Sequence, residues 1–135
     1  MILDSIKEQF KKKGFWKTIE FYFCRVMSKA ALKVVGTYAA NHGKLHRNYI
    51  VFKNRTMQDM TDNARAFFEY LVHNEAYKNY QIIWMVSDKR KFRKCKYKNV
   101  KFVTAESRNG WTSPLAYYYG AVSGFFFYTN NTAYL

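Results

Sequence analysis

The chain has one proline, two cysteines and six glycines in 135 residues, and nine acidic residues against 23 Lys and Arg. Cys24 lies in a helical pattern and Cys95 in a basic loop, so they build no disulfide framework; this excludes the small cross-linked secreted scaffolds and fits a reducing compartment. The glycines form neither G-x-G-x-x-G nor a P-loop, and no ready cradle for a nucleotide phosphate is present. His42 and His46 stand four apart with no Cys, Asp or Glu nearby in sequence to complete a metal site, so no metal or cofactor is expected. No apolar run reaches the roughly 20 residues needed to cross a membrane, because Leu115 to Tyr128 is too short and is interrupted by Gly120, Ser123 and Gly124. A signal peptide is not expected either, since Lys7, Glu8, Lys11, Lys12 and Lys13 break up the amino terminus.

What is present is a chain long enough for one core and an appendage, strongly basic and rich in aromatic residues. The net charge of +14 is unevenly spread. Residues 1–47 carry ten Lys and Arg against three acids, residues 81–110 carry nine against two, and residues 48–80 are balanced at four against four. From Trp111 to Leu135 there is no charged side chain at all, which implies an end that packs inside a core.

The neutral middle organises the rest. Tyr49-Ile50-Val51-Phe52 and Ile82-Ile83-Trp84-Met85-Val86 are continuous apolar runs, the mark of strands buried on both faces. Between them Ala64, Phe67, Phe68, Leu71 and Val72 recur at i, i+3, i+4, i+7 and i+8 and share one helix face. Thr61 or Asp62 supplies the cap where that helix begins, and Asn74 sits where it ends. A helix joining two buried strands predicts a right-handed βαβ unit of a parallel sheet. Val100 to Val103 predicts a third strand. Ser113-Pro114 opens a short aromatic helix over Leu115 to Ala121, and Phe125 to Thr129 predicts a fourth strand.

These segments carry a resemblance. Ile50-Val51-Phe52, the run Thr61 to Leu71, Tyr80 to Val86, Tyr117-Tyr118-Tyr119 and Phe125 to Asn131 resemble the amino-terminal part of the CDP-glycerol glycerophosphotransferases, the teichoic-acid and capsule polymerases of Gram-positive bacteria. The likeness covers about two thirds of the chain. It implies an α/β fold, a Rossmann-like parallel sheet forming the first half of a glycosyltransferase-B type fold, preceded by an amphipathic helical segment. The division expected is 1–47 for a basic helical membrane-association segment and linker, and 48–135 for an incomplete Rossmann-like domain. In that family the catalytic groups follow a strand like Phe125 to Thr129 and begin with a histidine-glycine motif. The last histidine here is His73, so no catalytic residue is carried over, and CDP-glycerol is expected to bind only through a second domain.

Two helices are expected before the first strand, one over residues 2–12 and one from Phe15 to about Val35, with Gly36 to Arg47 as a polar linker. In the second, Trp16, Ile19, Phe23, Val26, Met27, Ala30 and Val34 line one face, with Lys17, Arg25, Lys29 and Lys33 displaced from it. Such a helix either lies in a membrane interface or packs on the domain with its lysines in water. The resemblance favours the first, since it implies a lipid-linked polyol-phosphate polymer at the cytoplasmic face of the plasma membrane. Trp16, Lys17, Ile19, Phe23, Arg25, Met27, Lys29 and Lys33 are the expected contacts with an anionic membrane surface.

In open α/β sheets the loops at the carboxyl ends of the strands border the ligand crevice. Lys53, Arg55, Asp62 and Asn63 are therefore the candidates for the acceptor side, with Asp62 and Asn63 serving otherwise as helix caps. Many members of the family carry a glycine in this loop and this chain does not. The run Asp88 to Lys98 interleaves cations with Phe92 and Tyr97, which suits either a solvated connection or a phosphate backbone with stacked bases. Nothing matches a helix-turn-helix, zinc-finger or RNP pattern, so nucleic acid is the minor reading. A further alternative is a non-catalytic interaction module whose uncharged end, Gly124 to Leu135, pairs with a separate catalytic chain.

Overall fold

The structure, a computed structural model, describes residues 14–54, 62–107 and 109–129 together with Lys7 and Lys11. Apart from those two lysines, the helix expected over residues 2–12 lies outside the described residues, as does Thr61. The elements are α1 (Phe15–His42), β1 (His46–Asn54), α2 (Asp62–His73), β2 (Gln81–Val86), β3 (Val100–Thr104), α3 (Pro114–Val122) and β4 (Ser123–Thr129), with short 3-10 turns at Glu75–Tyr77 and Lys89–Phe92. The four strands form one parallel sheet in the order β3-β2-β1-β4. This matches the first four positions of the 3-2-1-4-5-6 order of a Rossmann-type sheet.

Period-two alternation divides the sheet's residues between two layers. Ile50 and Phe52 of β1 and Ile82, Trp84 and Val86 of β2 face α2, where Ala64, Phe68 and Leu71 close the core, with Phe67 and Val72 packed against it. Val51, Ile83, Met85 and Val103 face the other way, toward Ala116 of α3. Both faces of β1 and β2 are therefore covered, as their continuous apolar runs require. Helix α2 ends at His73, and Asn74 then caps the following 3-10 turn by accepting from the Ala76 N–H at 3.0 Å. The Ser113 hydroxyl caps α3 by accepting from the Ala116 N–H at 3.3 Å, with Pro114 in the first turn.

Two expectations need correction. The linker over Gly36 to Arg47 is mostly helix: α1 continues to His42, and β1 begins at His46, so only Gly43 to Leu45 connect them. The helix runs on because Gly36 is where α1 meets Tyr117; a Cβ there would lie 3.4 Å from that ring. Beyond it, Tyr38 stacks on His42 and leans toward Tyr118, so the last turns keep tertiary partners. The second concerns the charge-free end. Phe125, Phe126, Phe127 and Tyr128 are half-exposed, not buried, because among the described residues β4 pairs on one side only, with β1.

Helix α1 packs on α3 with the side opposite its apolar stripe. Thr18 and Ser28 are its buried residues, and Phe21, Leu32, Val35 and Ala39 continue that side at helical spacing. The Ser28 hydroxyl donates to the Cys24 carbonyl at 2.7 Å and accepts from the Thr112 N–H at 2.9 Å, tying the helix to the loop before α3. Gly110 makes this approach possible: its φ is +83°, and a Cβ would sit 2.7 Å from the Phe21 ring. The apolar stripe points outward, with Trp16 79% and Phe23 64% exposed.

The contrast is measurable by urea denaturation of the purified chain. Phe68→Ala, in the core, is expected to cost about 3–5 kcal/mol. Phe23→Ala, on the outward stripe, is expected to stay within about 0.5 kcal/mol of the parent. A comparable loss for both would contradict the outward orientation. Gly110→Ala is expected to destabilise by more than about 1 kcal/mol, since it combines a disfavoured backbone with a clash against Phe21. Its amide hydrogen exchange should rise first in α1.

Candidate functional site at the carboxyl ends of the strands

From β1 the chain winds outward to β2 and β3, then returns through α3 to β4 on the other side of β1. The reversal falls between β1 and β4, and the crevice of an open α/β sheet lies at such a switch point. Lys53 and Asn54 end β1 there, in register with Tyr128 and Thr129 of β4.

A cavity of about 300 Å³ opens at this edge on the α3 side. Lys53, Glu106, Thr112 and Ser113 contribute its polar groups, over an apolar floor that includes Met85 and Phe126. Each wall has a local cause. Alternation along β1 puts Lys53 on the same face as Val51, and thus over the α3 layer. The Ser113 N–H donates to the Ala105 carbonyl at 2.8 Å, and Glu106 bridges to Thr112, which folds the loop after β3 back on itself at the mouth. An ammonium and a carboxylate beside two hydroxyls suit a ligand that bears both phosphate and hydroxyl groups.

Of the expected acceptor-side residues, Lys53 lines this cavity. Arg55 lies outside the described residues. Asp62 opens α2, and Asn63 is exposed on its first turn, away from the residues lining the cavity. Glu106, Thr112 and Ser113 were not foreseen. The rule that pointed to Lys53, first residues past a strand's carboxyl end, points equally to Glu106 after β3. The expected membrane contacts Trp16, Lys17, Ile19, Phe23, Arg25, Met27, Lys29 and Lys33 are all exposed on α1.

Other candidate groups have structural partners. The His42 ring stacks on Tyr38 at 5.2 Å and the His46 ring on Tyr49 at 4.4 Å. Both cysteines are free, and among the described residues no group of three or more His, Cys, Asp and Glu is placed to hold a metal ion. Among those residues no helix is long and apolar enough to cross a membrane.

Past the end of β2, Asp88 grips Arg90. Its carboxylate accepts from the Arg90 Nε and Nη2 at 3.0 Å each and from the Arg90 N–H at 3.0 Å. The side-chain bonds from Arg90, then its backbone N–H, hold the Asp88 pKa down at about 2, from an ordinary 3.8. A depressed carboxylate stabilises the fold above its ordinary pKa and loses that contribution as pH falls through about 2. NMR titration of the Asp88 carboxyl carbon should give that midpoint, and Arg90→Gln should move it back toward 3.8. An unmoved midpoint would rule out Arg90 as the cause.

Fold and crevice define the class: a Rossmann-like α/β domain whose ligand edge is the carboxyl end of its parallel sheet. The family model for CDP-glycerol:poly(glycerophosphate) glycerophosphotransferase matches residues 37–121, from the last turns of α1 through nearly all of α3. That is well over half of the chain, and the chain belongs to this family. No curated protein and no solved structure matches it.

Proposed function

We propose that this chain is the amino-terminal portion of a membrane-associated CDP-glycerol:poly(glycerophosphate) glycerophosphotransferase of teichoic acid or capsule synthesis, docked peripherally on the cytoplasmic face of the plasma membrane. The observation that carries the reading is the outward stripe of α1. Trp16, Ile19, Phe23, Val26, Met27 and Val34 are all exposed, although the helix is packed on the domain by its other side. A continuous apolar stripe left open on a folded domain marks an interaction surface. With Lys17, Arg25, Lys29 and Lys33 exposed around it, the stripe suits an anionic lipid interface, rings toward the acyl chains and cations toward the head groups.

In this reading Lys53 meets a phosphate of the acceptor polymer, and Glu106, Thr112 and Ser113 hold its hydroxyls. Their role is binding. Phosphotransfer needs a base for the acceptor hydroxyl and cations or dipoles for the developing phosphate charge. No residue of these 135 is assigned to the base or to CDP-glycerol.

Co-sedimentation with phosphatidylglycerol vesicles tests the docking. The chain should bind, and Trp16→Ala with Phe23→Ala should weaken binding by at least roughly tenfold, since each buried ring contributes about 1.5–3 kcal/mol. Equal binding by the parent and the double variant would rule out the stripe as the contact. Incubation of the purified chain with CDP-glycerol and acceptor should release no CMP, and release would overturn the division of roles.

A further inference from the structure

The run from Lys89 to Lys98 is the densest charge on the chain, and neither the crevice nor α1 uses it. Seven of its ten residues are cationic, and all seven are exposed. Arg90 is taken up by Asp88. The other six, Lys89, Lys91, Arg93, Lys94, Lys96 and Lys98, form no ion pair with any described residue.

The two aromatic residues of the run are committed elsewhere. Phe92 stacks on Phe102 of β3, centroids 4.7 Å apart and 7° from parallel. Tyr97 packs edge-on to Phe68 at 5.8 Å and to His73 at 5.9 Å. Binding of single-stranded nucleic acid relies on aromatic faces that receive bases. Here Phe92 anchors the run to the core, and Tyr97, 37% exposed, is held edge-on by Phe68 and His73, so charge is the larger part of what remains for a partner.

The run is also folded into place. The Lys89 N–H donates to the Thr104 hydroxyl at 3.2 Å, and the Cys95 N–H to the Phe92 carbonyl at 3.0 Å. Its first residues border a cavity of about 520 Å³ lined also by Ser87, Thr104, Ser107 and Asn109. That cavity lies past the carboxyl ends of β2 and β3, on the same edge of the sheet as the Lys53 crevice.

We infer that this run is a docking track for a phosphodiester polymer without bases, the poly(glycerophosphate) chain itself. The inference rests on the function proposed above. Such a polymer offers one negative charge per repeat and hydroxyls between, with no π-face to stack. Fixed cations meet the first, and Ser87, Thr104, Ser107 and Asn109 suit the second. A chain held along the track stays near the crevice, which raises its effective concentration there without tight binding at the crevice.

The test is equilibrium binding of the full chain to fluorescent synthetic poly(glycerophosphate), with poly(U) RNA and phosphatidylglycerol vesicles as separate arms. Lys91→Gln, Arg93→Gln, Lys94→Gln and Lys96→Gln combined should lower polymer affinity by at least roughly tenfold, and the parent's affinity should fall with added salt. Replacing Lys91, Lys94 and Lys96 by Arg should preserve binding, which separates charge from any loss of fold. Lost polymer binding with vesicle binding retained supports the track. Unchanged polymer affinity in the Gln variant overturns it, whatever the vesicles show. Tighter binding of poly(U) than of poly(glycerophosphate) also overturns it, in favour of a nucleic-acid partner. The vesicle arm with Trp16→Ala and Phe23→Ala tests the membrane reading through different residues, so the two fail independently.

Discussion

A row of aromatic rings crosses the whole sheet at one level, and most of the structure depends on it. Phe127 of β4, Phe52 of β1, Trp84 of β2 and Phe102 of β3 are successive partners in the parallel register. Parallel strands bring equivalent positions to just under about 5 Å, the spacing at which rings stack face to face with an offset. Phe52 lies 4.9 Å from Trp84 and 5.4 Å from Phe127, both within 20° of parallel. Phe68 of α2 stands edge-on to Phe52 and Trp84, which seats the helix over the middle of the row. The Trp84 indole N–H is buried there with no hydrogen-bond partner among the described residues, so packing is what holds this ring. At one end of the row Phe92 stacks on Phe102 and fastens the basic run; at the other Phe127 meets Phe67 and holds the edge strand.

Helix α1 obeys a different constraint. It could have buried Trp16, Ile19, Phe23 and Met27 against α3, and apolar burial alone would favour that. Instead it presents Thr18, Ser28 and Gly36. Small side chains allow close approach, and the two buried hydroxyls have partners: Thr18 donates to the Gly14 carbonyl, and Ser28 bridges Cys24 and Thr112. The inner face thus combines these hydroxyl anchors with Phe21, Leu32, Val35 and Ala39, and the stripe of larger apolar side chains is left outside. A sequence keeping both features at once is consistent with two partners for one helix, the domain on one side and a lipid surface on the other.

Much of this was legible in the sequence, and the reasons are local. The unbroken apolar runs of β1 and β2 could only be strands covered on both sides, and the spacing of Ala64, Phe67, Phe68, Leu71 and Val72 could only be one helix face. Ser113-Pro114 marked the start of α3. The length of α1 was not legible, because Gly36, Asn41 and Gly43 look like a linker until Tyr117 is seen packing against Gly36. Which face of α1 turns inward was not legible either: periodicity finds the apolar stripe, but the choice is made by hydrogen bonds from a loop 84 residues away. Lys53 was found from its place at the carboxyl end of a strand. Glu106 and Thr112 join it through a fold-back of the loop between β3 and α3, which no short motif announces.

The two surfaces left open on this domain differ in the physics that would fill them. Burying a Trp or Phe of the α1 stripe in lipid contributes about 1.5–3 kcal/mol, against roughly 1 kcal/mol for each cation near an anionic surface. With seven large apolar side chains exposed on α1 between Phe15 and Val34, the apolar contribution dominates, and such docking persists in salt. The Lys89 to Lys98 run has the opposite balance. Its rings already have aromatic partners, and its six cations that pair with no described residue act over a Debye length of about 8 Å at physiological ionic strength. Contacts of that kind are individually weak and exchange readily, which suits a polymer that must stay nearby yet shift as it grows. The proposed lipid anchor and the proposed charged track are compatible on one small domain, because each is built from side chains the other does not use.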